Sequence, residues 1–124
     1  MSECNACFYS GYDECDPAEF YNTRDVKARK DYKCCECGEP ILKGTVHNVA
    51  VGKWNGELST YRTCCACEEI RTTFACEGWI FGQLWEDVTE GMFENMTTGC
   101  LEKLKTAAAK QKLLDEWNDW KFSR

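Results

Sequence analysis

At 124 residues, with eleven cysteines and nine glycines, the chain is one domain or one and a half, loop-rich and in need of staples. A formal net charge of −6 weighs against a protein that grips duplex phosphates, because that work takes a basic surface. The opening Met-Ser-Glu-Cys-Asn-Ala-Cys has no basic or apolar stretch of a signal peptide, and no apolar run approaches the ~20 residues of a membrane helix.

In chain order, residues 1–16 are polar and carry Cys4, Cys7 and Cys15. Cys4-x-x-Cys7 has the spacing that turns two sulfurs onto one ion. A fourth ligand for these three thiols is available downstream at Cys76, which makes Cys4, Cys7, Cys15 and Cys76 a candidate second zinc site. The odd cysteine count, in a chain expected not to be exported, points to the reducing cytoplasm and to metal-bound thiolates rather than disulfides. Asp16-Pro17-Ala18-Glu19 reads as a capped helix start, with a short helix from Pro17 to Asn22. The mixed-charge stretch from Thr23 to Lys33 follows. Its Arg24, Lys27, Arg29, Lys30 and Lys33 read as a solvated linker, or as the one local patch able to meet nucleic acid, although Asp25 and Asp31 interrupt them.

The stretch from Tyr32 to Phe74 organises the chain. Cys34 with Cys37 and Cys64 with Cys67 are two C-x-x-C pairs, and each pair presents two sulfurs from one tight loop. Together they predict a closed four-thiolate zinc site. Cys35 and Cys65 sit beside them, so the spacing leaves the ligand choice open by one residue, and either could be a reactive thiol. The long gap between the pairs predicts a β-hairpin: Thr45 to Val51, a turn at Trp54-Asn55-Gly56-Glu57, then Leu58 to Arg62. Neither face of the first strand is cleanly polar, so both are expected to be partly covered. Trp54 and Tyr61 are packing residues near the zinc. The second pair opens a helix with Ala66, Ile70 and Phe74 on one side. Knuckle, hairpin and helix in this order predict a treble-clef zinc finger over about residues 32–76.

Beyond Cys76, Gly78-Trp79-Ile80-Phe81-Gly82 marks a turn, and Leu84, Trp85, Val88 and Met92 recur at helical spacing as a core stripe. A long helix is expected over about Cys100 to Phe122, capped by Thr98 or Gly99. Leu101, Leu104 and Ala108 lie on one side of it. Leu113, Trp117 and Trp120 lie on another, which predicts a surface for a partner or for self-association through this helix. The fold class is therefore a small, metal-stapled α+β protein. Residues 1–96 form the cysteine-rich zinc-binding domain, and residues 97–124 form a helix packed on it or on a partner.

Catalytic chemistry is sparse. The one histidine, His47, stands on a predicted strand and reads as a packed residue. An HNH-type nuclease would need another histidine or asparagine on the helix after Cys67. A four-thiolate zinc is closed, without the open position that a catalytic zinc keeps.

The residues Ala28-Arg29-Lys30, Cys34-Cys35-Glu36-Cys37-Gly38, Gly52-Lys53-Trp54-Asn55-Gly56, Arg62-Thr63-Cys64 through Cys67, Ile70-Arg71 and Gly82-Gln83-Leu84-Trp85-Glu86 resemble a family of small cysteine-rich proteins of phages and prophages. The likeness spans roughly residues 24–90. It implies a treble-clef-like zinc-binding fold but no defined activity. It also implies a setting, the host cytoplasm, where small acidic phage proteins bind and disable host proteins, defence machinery included. The expectation is a non-enzymatic zinc protein carrying one ion, or two, that binds and inhibits a host or phage protein. The alternative is a treble-clef nucleic-acid-binding regulator.

Overall fold

The computed structural model describes residues 4, 6–8, 20–54, 56–75 and 80–122, with Phe20, Tyr21 and Trp54 as backbone alone. Among these residues five strands and four α-helices form around one apolar core, with a short 3-10 turn at Phe93–Asn95: β1 (Phe20–Lys27), β2 (Tyr32–Lys33), β3 (Pro40–Ile41), β4 (Val46–Trp54), β5 (Glu57–Cys64), α1 (Cys65–Phe74), α2 (Leu84–Gly91), α3 (Thr98–Glu102) and α4 (Ala107–Phe122).

The hairpin forms where the β-branched residues and Asn-Gly place it. Register pairs Trp54 with Glu57 and His47 with Cys64, and Gly56 takes φ +82°, which a side chain would resist. Val49 and Ala50 point to opposite faces and both are buried, so both sides of β4 are covered as expected.

The stretch before the hairpin corrects the sequence reading. Phe20–Lys27 is neither helix nor linker but strand β1, antiparallel to β4 from Phe20↔Lys53 to Lys27↔Val46, giving the order β1-β4-β5. The far edge of β4 carries a row of backbone donors and acceptors that need partners, and that demand overrides the local helix-start signal. Residues 16–19 of the expected helix lie outside the described residues.

The last helix is also corrected. It is interrupted between Glu102 and Ala107 rather than running from Cys100 to Phe122. Thr106 restarts it: its hydroxyl oxygen accepts the Ala109 N–H at 3.2 Å, an N-cap bond, and the same hydroxyl donates to Glu69 Oε1 at 2.8 Å. Glu69 also accepts the Lys105 N–H, which ties the start of α4 to α1.

The core runs from Ile70 and Phe74 of α1 through Leu84, Val88 and Met92 to Leu104, Leu113 and Trp117. The expected core stripe of α2 is therefore buried. The expected partner surface on the last helix is not a surface. Leu113 is 0% exposed and Trp117 8%, and the half-buried Trp120 lies against Phe93 with ring centroids 5.6 Å apart. The interruption re-aims α4, so this side, rather than a free one, turns onto α1 and the core. Phe8 joins the same core, its N–H donating to Phe74 O at 3.0 Å. Among the described residues, no helix is long and apolar enough to cross a membrane.

Candidate metal centre

Cys34 and Cys37 sit on a tight turn between β2 and β3. Gly38, at φ +74°, lets its N–H return to Cys34 O at 3.0 Å, and Cys35 N–H donates to Arg62 O at 2.8 Å, fastening the turn to β5. Cys64 ends β5, and Cys67 lies one turn into α1. The four Sγ atoms of Cys34, Cys37, Cys64 and Cys67 lie within 4.8 Å of one another, with Cys37 to Cys64 at 3.9 Å. A zinc–sulfur bond of about 2.3 Å gives a tetrahedron with edges of about 3.8 Å, so the cluster has the size of one zinc ion in a four-thiolate shell.

The electrostatics agree. Cys64 and Cys67 place their thiols against the Cys34 sulfur and hold its pKa far below the ordinary thiol range. The same contact pushes the Cys64 thiol up to about 12, and contact with Cys34 and then Cys64 raises that of Cys67 well above its usual value. Four thiolates together require a divalent positive ion, whose uptake expels protons and so strengthens as pH rises. The chain also supplies donors that steady such sulfurs. The N–H groups of Glu36 and Cys64 each reach Cys34 Sγ at 3.4 Å, and Trp85 Nε1–H reaches Cys67 Sγ at 3.4 Å. Lys112, ion-paired with Glu39 at 3.0 Å, adds a positive charge. Burial opposes that charge, but Glu39 and the Cys37 and Cys67 sulfurs outweigh it and raise the Lys112 pKa. The donor set fits zinc, and all four positions are filled by protein.

Beneath the cluster lies a buried ion pair that the sequence did not announce. Glu36 Oε2 accepts from Arg71 Nη1 at 2.9 Å, with the two side chains 0% and 1% exposed. Burial raises the Glu36 pKa, and the Leu84 N–H and Arg71 pull it back. Glu36 Oε1 takes the Leu84 N–H, the first of α2, at 3.0 Å, while Arg71 also donates to Thr63 Oγ1 at 3.1 Å. One carboxylate thus joins the cysteine turn, α1 and the positive end of α2.

The adjacent cysteines are settled by geometry. Cys35 Sγ meets Thr63 Oγ1 at 3.4 Å and Cys65 Sγ donates to Val46 O at 3.0 Å, so both stand outside the cluster. In the absence of a metal ion, burial raises both thiols above their ordinary pKa. His47 is fully buried, as a packed residue should be, with Nε2 2.9 Å from Arg62 Nη1. Tyr61 stacks on Phe81 at 4.5 Å, and among the described residues Trp85 reaches a sulfur of the cluster; the Trp54 side chain lies outside them. An indole N–H turned away from water usually takes an acceptor, and that is the available signal for Trp85.

The proposed second site takes a different form. Cys4 is disulfide-bonded to Cys100, a residue outside the expected set, and Cys7 is also disulfide-bonded. A sulfur in a disulfide has no thiolate for a metal, so Cys4 and Cys7 are not ligands here. Cys15 and Cys76 lie outside the described residues. The bond joins chain positions 96 residues apart, and Lys103 Nζ donates to Cys4 O at 2.8 Å beside it. It is a covalent staple across the helical half where a second metal was expected, and it corrects the expectation of metal-bound thiolates rather than disulfides for these cysteines.

Comparison with protein-family models, with curated proteins and with solved structures finds no match. The molecule is therefore characterised by its own centre: a small α+β metal-binding domain with a buried four-cysteine cluster between sheet and helix, followed by further helices.

Proposed function

We propose that the chain is a zinc-stapled, treble-clef interaction module without catalytic activity. In this reading it is phage-encoded and binds and disables a host protein. The observation that carries it is the closed cluster of Cys34, Cys37, Cys64 and Cys67, which can hold an ion for structure and leaves it no free position for substrate. The order of cysteine turn, hairpin and helix supports the treble-clef assignment. Charge supports a protein target: one four-thiolate zinc takes the formal −6 to about −8, which repels nucleic acid on average.

A nucleic-acid-binding regulator is the second reading. One observation favours it: Arg24 and Lys27 of the basic run lie on strand β1 rather than on a linker, and Arg62 lines the same cavity as Arg24 and Arg29. Native mass spectrometry of the purified chain is expected to give one zinc. Zinc-loaded chain, immobilised and exposed to bacterial host lysate, is expected to retain one protein that binds again in stoichiometric amount when purified. Salt-sensitive retardation of nucleic acid, with no protein retained, would transfer support to the second reading. Metal-free protein of unchanged fold would remove the basis of both.

A further inference from the structure

The sheet face bearing Val49 carries a second arrangement of side chains, separate from the sulfurs. Register sets Arg24 opposite Val49 and Val49 opposite Arg62, so an arginine flanks Val49 on each side. Their backbones are roughly 10 Å apart, two strand spacings. Lys27, Arg29 and the Tyr32 ring complete a cavity of about 380 Å³ over this row. Its seven lining residues include the arginines Arg24, Arg29 and Arg62 and none is acidic, in a chain with 21 acids against 15 lysines and arginines.

The pleat explains the sorting. Asp25, which interrupts the basic run in sequence, faces the other side of the sheet, where its carboxylate accepts from Asn48 Nδ2 at 3.4 Å. Asp31 is occupied by the Lys43 N–H at 2.8 Å. Among the described residues, no carboxylate pairs with Arg24, Lys27, Arg29 or Arg62.

Arg62 is held in place before any ligand arrives. Its Nη1–H donates to His47 Nε2 at 2.9 Å, and its guanidinium carbon lies 3.8 Å from the centroid of the Tyr32 ring. A guanidinium only donates, so His47 Nε2 is the bare nitrogen and Nδ1 carries the proton, facing Thr45 O at 3.4 Å. A neutral, buried imidazole thus positions a charged fork, one of whose five N–H groups is spent on it. Ordering that fork is a cost already met by the fold, and a planar guanidinium matches two oxygens of one phosphoryl group.

We infer that this cavity is a phosphate site, in which Arg62 and Arg24 hold phosphoryl oxygens while Arg29 neutralises remaining charge. Three arginines exceed what a single carboxylate balances and suit a di- or polyphosphate, carried either by a free nucleotide or along a single strand. The inference does not depend on the protein-interaction reading.

The test uses full-length, zinc-loaded chain and calorimetric titration with inorganic pyrophosphate, ADP and a short single-stranded oligonucleotide. Pyrophosphate and ADP are expected to saturate with Kd below about 1 mM. The double variant Arg24→Ala/Arg29→Ala, altered at two exposed positions, is expected to bind about tenfold more weakly or worse, with zinc content and circular dichroism unchanged. Arg62→Lys keeps the charge but loses the fork, and weakens binding as well. ADP and pyrophosphate binding as tightly as the oligonucleotide supports the site with a free phosphate ligand. An oligonucleotide preferred by about a hundredfold, and lost in the same double variant, supports it with strand phosphates. Absence of saturation by all three, or a Kd unmoved in Arg24→Ala/Arg29→Ala, overturns the inference.

Discussion

From Cys34 to Phe74 the chain buries sulfur and charge: four cysteines of the cluster, the Glu36–Arg71 pair, His47 and Thr63. From Leu84 to Trp117 it buries hydrocarbon: Leu84, Val88, Met92, Leu104, Leu113 and Trp117, backed by the Cys4–Cys100 disulfide. Beside the buried Ile41, Ile70 and Phe74, the interior of the first half holds groups that cost free energy to desolvate until each finds its partner, so apolar contact alone does not assemble it. The second half follows ordinary burial. The two meet where α1 lies against α4, so a domain of this size combines a metal-dependent and a metal-independent source of stability across one seam.

The largest effect should come from the sulfur side. Cys67→Ser removes a fully buried ligand, and structural zinc contributes on the order of 10 kcal/mol or more of apparent binding free energy. The variant is expected to lose zinc and cooperative unfolding. Hydrogen exchange in the wild type under chelation sharpens the comparison. Amides of β4 and β5 should open first and those of α4 later; simultaneous opening would mean the two halves are one unit.

Arg71→Leu leaves Glu36 buried with only the Leu84 N–H for company. A loss of about 3–5 kcal/mol in denaturant unfolding is expected, since an uncompensated buried charge is the costly case. Replacing both, Glu36→Leu with Arg71→Leu, should recover part of that loss; no recovery would show that the pair's hydrogen bonds to α2 and β5 matter more than its charge.

On the hydrocarbon side, Leu113→Ala should cost about 2–5 kcal/mol while the zinc stoichiometry measured by native mass spectrometry stays at one. Were zinc lost together with Leu113, the division into two sources of stability would fail. Trp117→Glu is expected to unfold the protein rather than spare the fold and cost a partner, because Trp117 is core.

The smallest effect is at the seam. Burial alone would raise the Glu69 pKa, but the Lys105 N–H, then the Thr106 hydroxyl and N–H, lower it below its ordinary 4.5. A carboxylate lowered on folding stabilises above its unfolded pKa and loses that contribution as pH falls through the folded value. The group is largely solvated, so Glu69→Gln should lower stability by less than about 1 kcal/mol at neutral pH. The difference from wild type in thermal unfolding should vanish in acid. A difference that persists there would assign the effect to packing.

Much of the first half was legible in advance. The C-x-x-C spacing encodes a loop geometry that hardly depends on the rest of the chain, and Asn55-Gly56 encodes its turn. The stripe of Ile70 and Phe74 encodes a helix face, as does that of Leu84, Val88 and Met92. The failures share a cause. β1 exists because β4 had an edge to fill. The last helix restarts at Thr106 because Glu69, distant in sequence, receives it. Leu113 and Trp117 looked surplus only while the helix was drawn as unbroken.

By itself, then, the sequence determined the thiol pairs, the hairpin, the helix after the second pair and the acidic balance of the chain. Those are short-range properties, set by residue spacing and turn chemistry. Tertiary structure alone decided which of the neighbouring cysteines face the metal, that Cys4 bonds to Cys100, and that Glu36 and Arg71 pair beneath the cluster. It also separated Arg24 from Asp25 to opposite faces of one strand and brought Arg62 to complete a basic cavity. Each of these depends on which distant segment arrives alongside, and the energies that choose it belong to pairs of residues rather than to either residue alone.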